Sequence, residues 1–83
     1  MIKVWTNGCF DILHVGHIRL FEFAAGLGMK LTVGIDSDER IKKSKGALRP
    51  INNQHEREEM LRSIKYIDDV ICFASDFELE NII

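Results

Sequence analysis

Asn7-Gly8-Cys9-Phe10-Asp11-Ile12-Leu13-His14-Val15-Gly16-His17 separates two apolar segments of different character. Ile2 to Thr6, before it, reads as a strand, and Ile18 to Leu27, after it, reads as a helix. A strand-to-helix turn of this kind is where an α/β protein holds a phosphate. The first helical turn offers backbone N–H groups and the positive end of its dipole. Gly8 and Gly16 allow close backbone approach or an unusual φ, and His14 and His17, three apart, share a helix face if the helix has begun by His14. Two imidazoles there can donate hydrogen bonds to a phosphoryl group and gain charge easily beside it. A zinc fragment is the weaker reading, because zinc needs three or four ligands and Cys9 has no C-x-x-C partner. No metal-ligating residue is assigned.

The rest of the chain alternates in the same way. The first helix is expected from about His17 to Gly26 or Gly28, with few charges between Ile18 and Gly28, so much of its circumference should be covered. Leu31 to Ile35 has the continuous apolar character of a parallel strand buried on both faces. Strand, helix, strand in that order implies a right-handed crossover. Asp36 and Asp38 flank the carboxyl end of the second strand, where open α/β sheets put their ligands. There they suit a metal or a sugar hydroxyl, with helix capping by Ser37 or Asp38 as the alternative. Lys42 to Pro50 carries four basic residues and no aromatic one, and reads as a loop that is either solvated or closes over phosphates.

A third helix is expected from near Asn53, with Asn53-x-x-Glu56 as an approximate capping box and Met60, Leu61, Ile64 and Ile67 at helical spacing. Asp68-Asp69 ends it, Val70 to Phe73 is a third strand, and Ser75 or Asp76 caps a last helix from Phe77 to Ile83. His55 reads as exposed.

Eighty-three residues, 46% of them hydrophobic and 29% charged, make at most one globular domain. A net charge of −2 gives no electrostatic case for nucleic acid. With no long apolar run and no signal-like start, neither a membrane nor export is indicated, and the expected location is the cytoplasm. Cys9 and Cys72 are then expected reduced and unpaired.

Gly8-Cys9-Phe10-Asp11-Ile12-Leu13-His14-Val15-Gly16-His17 resembles the first signature of the cytidylyltransferase-like nucleotidyltransferases, G-x-F-D-x-x-H-x-G-H, at every fixed position. Lys45-Gly46, Arg49-Pro50 and Asn52 resemble the K-G-x-x-R-P-x-N stretch of their sugar-phosphate branch, with the glycerol-phosphate cytidylyltransferases next nearest. The resemblance implies an α/β, Rossmann-like three-layer sandwich on a parallel sheet of order 3-2-1-4-5. It implies transfer of AMP or CMP from ATP or CTP to a phosphorylated sugar or polyol, releasing pyrophosphate, with Mg2+ carried by the nucleotide.

Carried residue by residue, it makes His14, His17 and Lys45 catalytic. Gly8, Cys9, Phe10 and Gly16, with both histidines, would line the nucleotide. Asp11 would orient the acceptor or the turn, and Asp38, Lys45, Arg49 and Arg57, with Asp11, form the acceptor side. The base and the acceptor stay open. The later strands of such a domain, its G-x-D turn and its triphosphate-gripping I-S-T-T-like segment have no counterpart in these residues. The expectation is therefore one domain over residues 1–83 that is incomplete at its C-terminal side, with weak or no activity alone. The alternative is a nucleotide-binding fragment that forms a homodimer through its open sheet edge.

Overall fold

The computed structural model describes residues 3–28 and 30–78. Three strands, β1 (Lys3–Gly8), β2 (Lys30–Asp36) and β3 (Asp69–Phe73), form one parallel sheet in the order β1-β2-β3. Val4 lies opposite Leu31, and Val33 opposite Val70. Parallel neighbours need crossovers, and α1 (Val15–Gly26) supplies the first. The second contains α2 (Asp38–Lys45) and α3 (Gln54–Arg62).

Side chains alternate across a strand, so Leu31, Val33 and Ile35 point to one face together. All three are fully buried, with Phe10, Phe21 and Ala24 beside them and Leu61 of α3 and Val70 completing the cluster. On the other face the Trp5 indole and the Phe73 ring both lie over Gly34, and the Phe73 ring also receives the Arg40 guanidinium of α2. Ile41 of α2 and Phe73 are buried outside the main cluster. α1 and α3 thus pack on one face and Arg40 of α2 meets Phe73 on the other, and the expected α/β, Rossmann-like parallel sheet is found.

Several boundaries differ from expectation. α1 starts at Val15, and only its Phe21 and Ala24 are buried, while Leu20, Phe23 and Leu27 are exposed. A single sheet covers one stripe of this helix, so its apolar composition overstates its burial. α2 runs on through Lys45 and stops at Gly46, whose φ of 101° lies in the region that favours glycine. Lys42 to Lys45 is therefore helix, and only the residues after it are loop. α3 ends at Arg62, so Ile64 and Ile67 pack against the core from the turns that follow it. The Asp68 carboxylate accepts the Leu31 N–H at 2.7 Å and joins those turns to the start of β2. The Ser75 hydroxyl accepts the Glu78 N–H, as a cap requires, while residues 79–83 of the last expected helix lie outside the described residues. Cys9 and Cys72 are unbonded thiols, and burial pushes Cys72 above the usual thiol range. Among the described residues no helix is long and apolar enough to cross a membrane.

Candidate functional site

The carboxyl end of β1 opens into a cleft of about 420 Å³. It is lined by the turn from Gly8 to Asp11, by His17 of α1, and by Lys45 and Arg49. Three segments far apart in sequence therefore meet where the sheet ends, the place an open α/β sheet offers a ligand.

The turn is set by Phe10, whose φ of 49° lies in the left-handed region that a bulky residue occupies only when its surroundings compel it. Its ring is buried, 5.3 Å from the ring of Phe21 and 5.3 Å edge-on to that of His17. Burial of the aromatic ring offsets the backbone strain and gives His17 a wall to lean on.

His14 is the N-cap of α1, with φ −142° and ψ 175°. Its Nδ1 accepts the Gly16 N–H at 3.0 Å, and His17 Nδ1 accepts the His14 N–H at 3.2 Å. This is a capping box built from two imidazoles in place of Ser or Thr and Glu. The rings stack with centroids 3.9 Å apart. His14 must fold back over Gly16 to do so, since a Cβ there would come 2.8 Å from His14 Cε1. The expectation for Gly16 was close backbone approach or an unusual φ. The structure instead gives its N–H to His14 and its missing side chain to the His14 ring. The donors left facing outward are therefore imidazole edges. Burial first, and the neighbouring His14 second, lower the pKa of His17 below its ordinary 6.5.

Asp11 lines the cleft with its carboxylate engaged by the loop. Its carboxylate accepts Ile51 N–H at 2.8 Å and Asn52 N–H at 2.8 Å, and pairs with Arg49 Nε at 3.0 Å. The Ile51 N–H also lies 3.0 Å from its second oxygen, so about four acceptor directions are used and none is left for a substrate hydroxyl. Burial alone would raise the Asp11 pKa. The two N–H groups and Arg49 outweigh it and hold the carboxyl below 3.8. Asn52 returns the bond by donating Nδ2 to the Asp11 carbonyl at 2.6 Å.

Arg57 departs furthest from expectation. It is 0% exposed, so it is placed as a bracket and not as a substrate ligand. Its guanidinium donates to the carbonyls of Cys9 at 2.9 Å, Asp36 at 2.7 Å and Asn52 at 3.1 Å, and to Asp38 Oδ1 at 2.8 Å. A buried cation is tolerable only when so fully paired. Asp38 is correspondingly spent on Arg57, and the cap of α2 is the Ser37 hydroxyl, which accepts Arg40 N–H at 3.2 Å. Asp36 is paired with Arg40 at 2.7 Å. Neither aspartate faces the cleft, so neither the metal nor the sugar-hydroxyl reading of them is supported.

The structure thus brings Gly8, Cys9, Phe10, His17, Lys45 and Arg49 together around one space, with His14 stacked at its edge. Asp11 lines it with its carboxylate tied to the loop, and Asp38 and Arg57 stand behind it as supports. Sequence reasoning missed the capping role of the histidines, although one signal was present. No Ser, Thr, Asn or Asp directly precedes Val15, and the three-residue spacing is that of a capping box. Nothing local announced the pairing of Asp11 with residues 49–52.

Among the described residues no group of three or more His, Cys, Asp or Glu side chains is placed to hold a metal ion. Among them also, Lys45 has no ion-pair partner.

Residues 5–82 match the family described as Cytidylyltransferase-like. The chain is 49% identical over 78 residues to the bifunctional protein HldE of Hyphomonas neptunium, covering 94% of this chain and 16% of that protein. It is 47% identical over 79 residues to the protein of the same name from Aliarcobacter butzleri, covering 95% of this chain and 17% of that one. The chain therefore spans about one-sixth of the length of these relatives. Among solved structures, a lipopolysaccharide core biosynthesis protein from Thermoplasma volcanium superposes with a TM-score of 0.84 at 29% identity, over 99% of this chain and 66% of that one. A family match across nearly the whole chain, on a sheet and turn of the expected form, makes this chain a member of the cytidylyltransferase-like family.

Proposed function

We propose that the cleft binds the phosphates of a nucleoside triphosphate and serves transfer of AMP or CMP from ATP or CTP to a sugar phosphate or polyol phosphate. The observation that carries this reading is the meeting of His17, Lys45 and Arg49, from three separate segments, around the end of β1 in a chain of this family.

In the proposed reaction a phosphate oxygen of the acceptor attacks the α-phosphorus. The new P–O bond forms as the bond to the bridging oxygen breaks, and pyrophosphate leaves with that electron pair. His14 and His17 donate hydrogen bonds to the α-phosphate as charge builds on it, and Lys45 neutralises the phosphates. Arg49 keeps Nε on Asp11 and turns the rest of its planar fork toward the second phosphate group. Backbone groups of Gly8, Cys9 and Phe10 line the nucleotide. Asp11, Asp38 and Arg57 act by fixing the loop and strand ends. Magnesium, when bound, neutralises charge on the triphosphate and is held by it, since the one cleft carboxylate, Asp11, is fully occupied.

The sugar-phosphate acceptor is favoured by the Lys45-Gly46 and Arg49-Pro50 stretch and by the HldE relatives. The alternative, a binding fragment that dimerises, is supported by the single strand partner of β1 among the described residues.

The deciding experiment measures pyrophosphate release with magnesium, ATP or CTP, and a panel of sugar and polyol phosphates. Release with one pair is expected, falling about 10²-fold or more in His17→Ala. Nucleotide binding without release would favour the fragment reading, and neither release nor binding would overturn both.

A further inference from the structure

We infer that the two capping bonds of α1 lock His14 and His17 as their Nε2–H tautomers, and that protonating either ring releases the helix terminus that it caps. A backbone N–H can only donate. The Gly16 N–H points at His14 Nδ1 and the His14 N–H at His17 Nδ1, so each Nδ1 presents a lone pair. The single proton of each neutral ring then sits on Nε2. The stack therefore carries both N–H donors on the edges turned away from the backbone. On the phosphate-site reading, which this consequence alone rests on, the pair meets an anion as two neutral donors.

The same geometry fixes what acid does. An imidazolium carries a proton on Nδ1, which would face a backbone N–H donor to donor, and the cap would be lost. A hydroxyl cap has no such limit. Among the described residues that line the cleft, none brings an unpaired carboxylate. Of the ionisable groups that share the cleft with His17, Lys45 of α2 and Arg49 of the loop are cationic, and Cys9 is a thiol. Asp11 is already paired with Arg49 and two N–H groups. The His14 ring also opposes a charge on His17 across 3.9 Å. Proton uptake at this pair is thus tied to unwinding the first turn of α1, and with it the wall of the cleft.

The test uses the chain with 15N-labelled histidine and two-bond 1H–15N correlation spectra, which separate the tautomers. At pH 7.5, His14 and His17 should each show a protonated Nε2 and a bare Nδ1, with exposed His55 as the internal reference. On acidification, the Gly16 and His14 amide protons should shift with the ring midpoints, and their protection factors should fall about five-fold, as expected for a lost N-cap. An Nδ1–H tautomer in either ring, or ring protonation that leaves both amides unmoved, would overturn the inference. The pair His14→Asn with His17→Gln keeps an acceptor at each capping atom and cannot be protonated there. In that variant the acid loss of helix at α1 should vanish, and its persistence would also overturn the inference. None of these readouts requires nucleotide binding, so failure of the phosphate-site reading would show separately, as an absence of triphosphate binding to rings in the locked tautomer.

Discussion

His17, at the start of α1, and Arg49, in the loop of residues 46–53, both line the cleft, yet the segments that carry them are held in opposite ways. Residues 14–17 hold themselves, through bonds between residues two and three apart, His14 to Gly16 and His17 to His14. The loop is held from a distance, by Asp11 at a separation of 38 to 41 residues. Arg57 then joins Asn52 of the loop to Cys9, 48 residues before it, and to Asp36 at the end of β2. A self-capped turn can form as soon as its own residues come together. The loop acquires its shape only after the sheet and α3 are in place.

The contrast predicts that the largest loss follows from the distant bracket. Arg57→Met removes a fully buried cation and leaves Asp38 and three carbonyls unpaired. A destabilisation of about 3–5 kcal/mol is expected, measured by urea denaturation. Arg57→Lys should rescue little of it, because one ammonium cannot reach acceptors spread around a planar fork. If Arg57→Met were as stable as the parent chain, the loop would not depend on the bracket and the contrast would fail.

Asp11→Asn should come next, at about 1–3 kcal/mol, because an amide group replaces an acceptor that faces two N–H donors and a guanidinium. Its signature is faster amide exchange at Ile51 and Asn52 with the α1 terminus unchanged. Loosening of both regions together would show that they are one unit.

Gly16→Ala should cost about 1 kcal/mol, the worth of the displaced cap, with the opposite pattern: His14 and His17 move while residues 49–52 stay protected. Its effect on triphosphate binding should exceed its effect on stability, since the added methyl pushes directly on the His14 ring.

The smallest effect is on pH dependence. His17 has a folded-state pKa below 6.5, so its contribution to stability is complete above that value and is lost as pH falls through the lower folded value. Asp11 follows the same sign further down: its contribution is complete above 3.8 and is lost as pH falls through its depressed folded value. Denaturation at a series of pH values should therefore show two separate acid steps. His17→Gln should diminish the upper step and Asp11→Asn should remove the lower.

Much of this was legible in the chain. Strand, turn and helix followed from Val4 and Trp5, the glycine-bounded turn, and the apolar residues after His17, because side-chain period reports local backbone geometry. The family resemblance rested on the same turn. Less legible were the burial of α1, which depends on how much sheet lies beneath it, and the end of α3, where Ile64 and Ile67 keep helical spacing but pack from turns. Whether Asp11, Asp38 and Arg57 meet an acceptor or support the turn was not legible, for one reason. A charged residue beside a ligand site and a charged residue supporting it look alike until their partners are known.

The sequence by itself determined the parallel α/β character, the phosphate-type turn at the end of β1, and the set of basic residues around it, because each depends on neighbours within a few residues. Only the tertiary structure decided which charges face the cleft. Asp11 meets Ile51 and Asn52, and Arg57 meets Cys9, Asp36 and Asp38, only once three strands have stacked in register. Pairing across some 40 residues leaves no spacing in the sequence, since it is fixed by where the chain crosses itself and by the need to satisfy every buried charge.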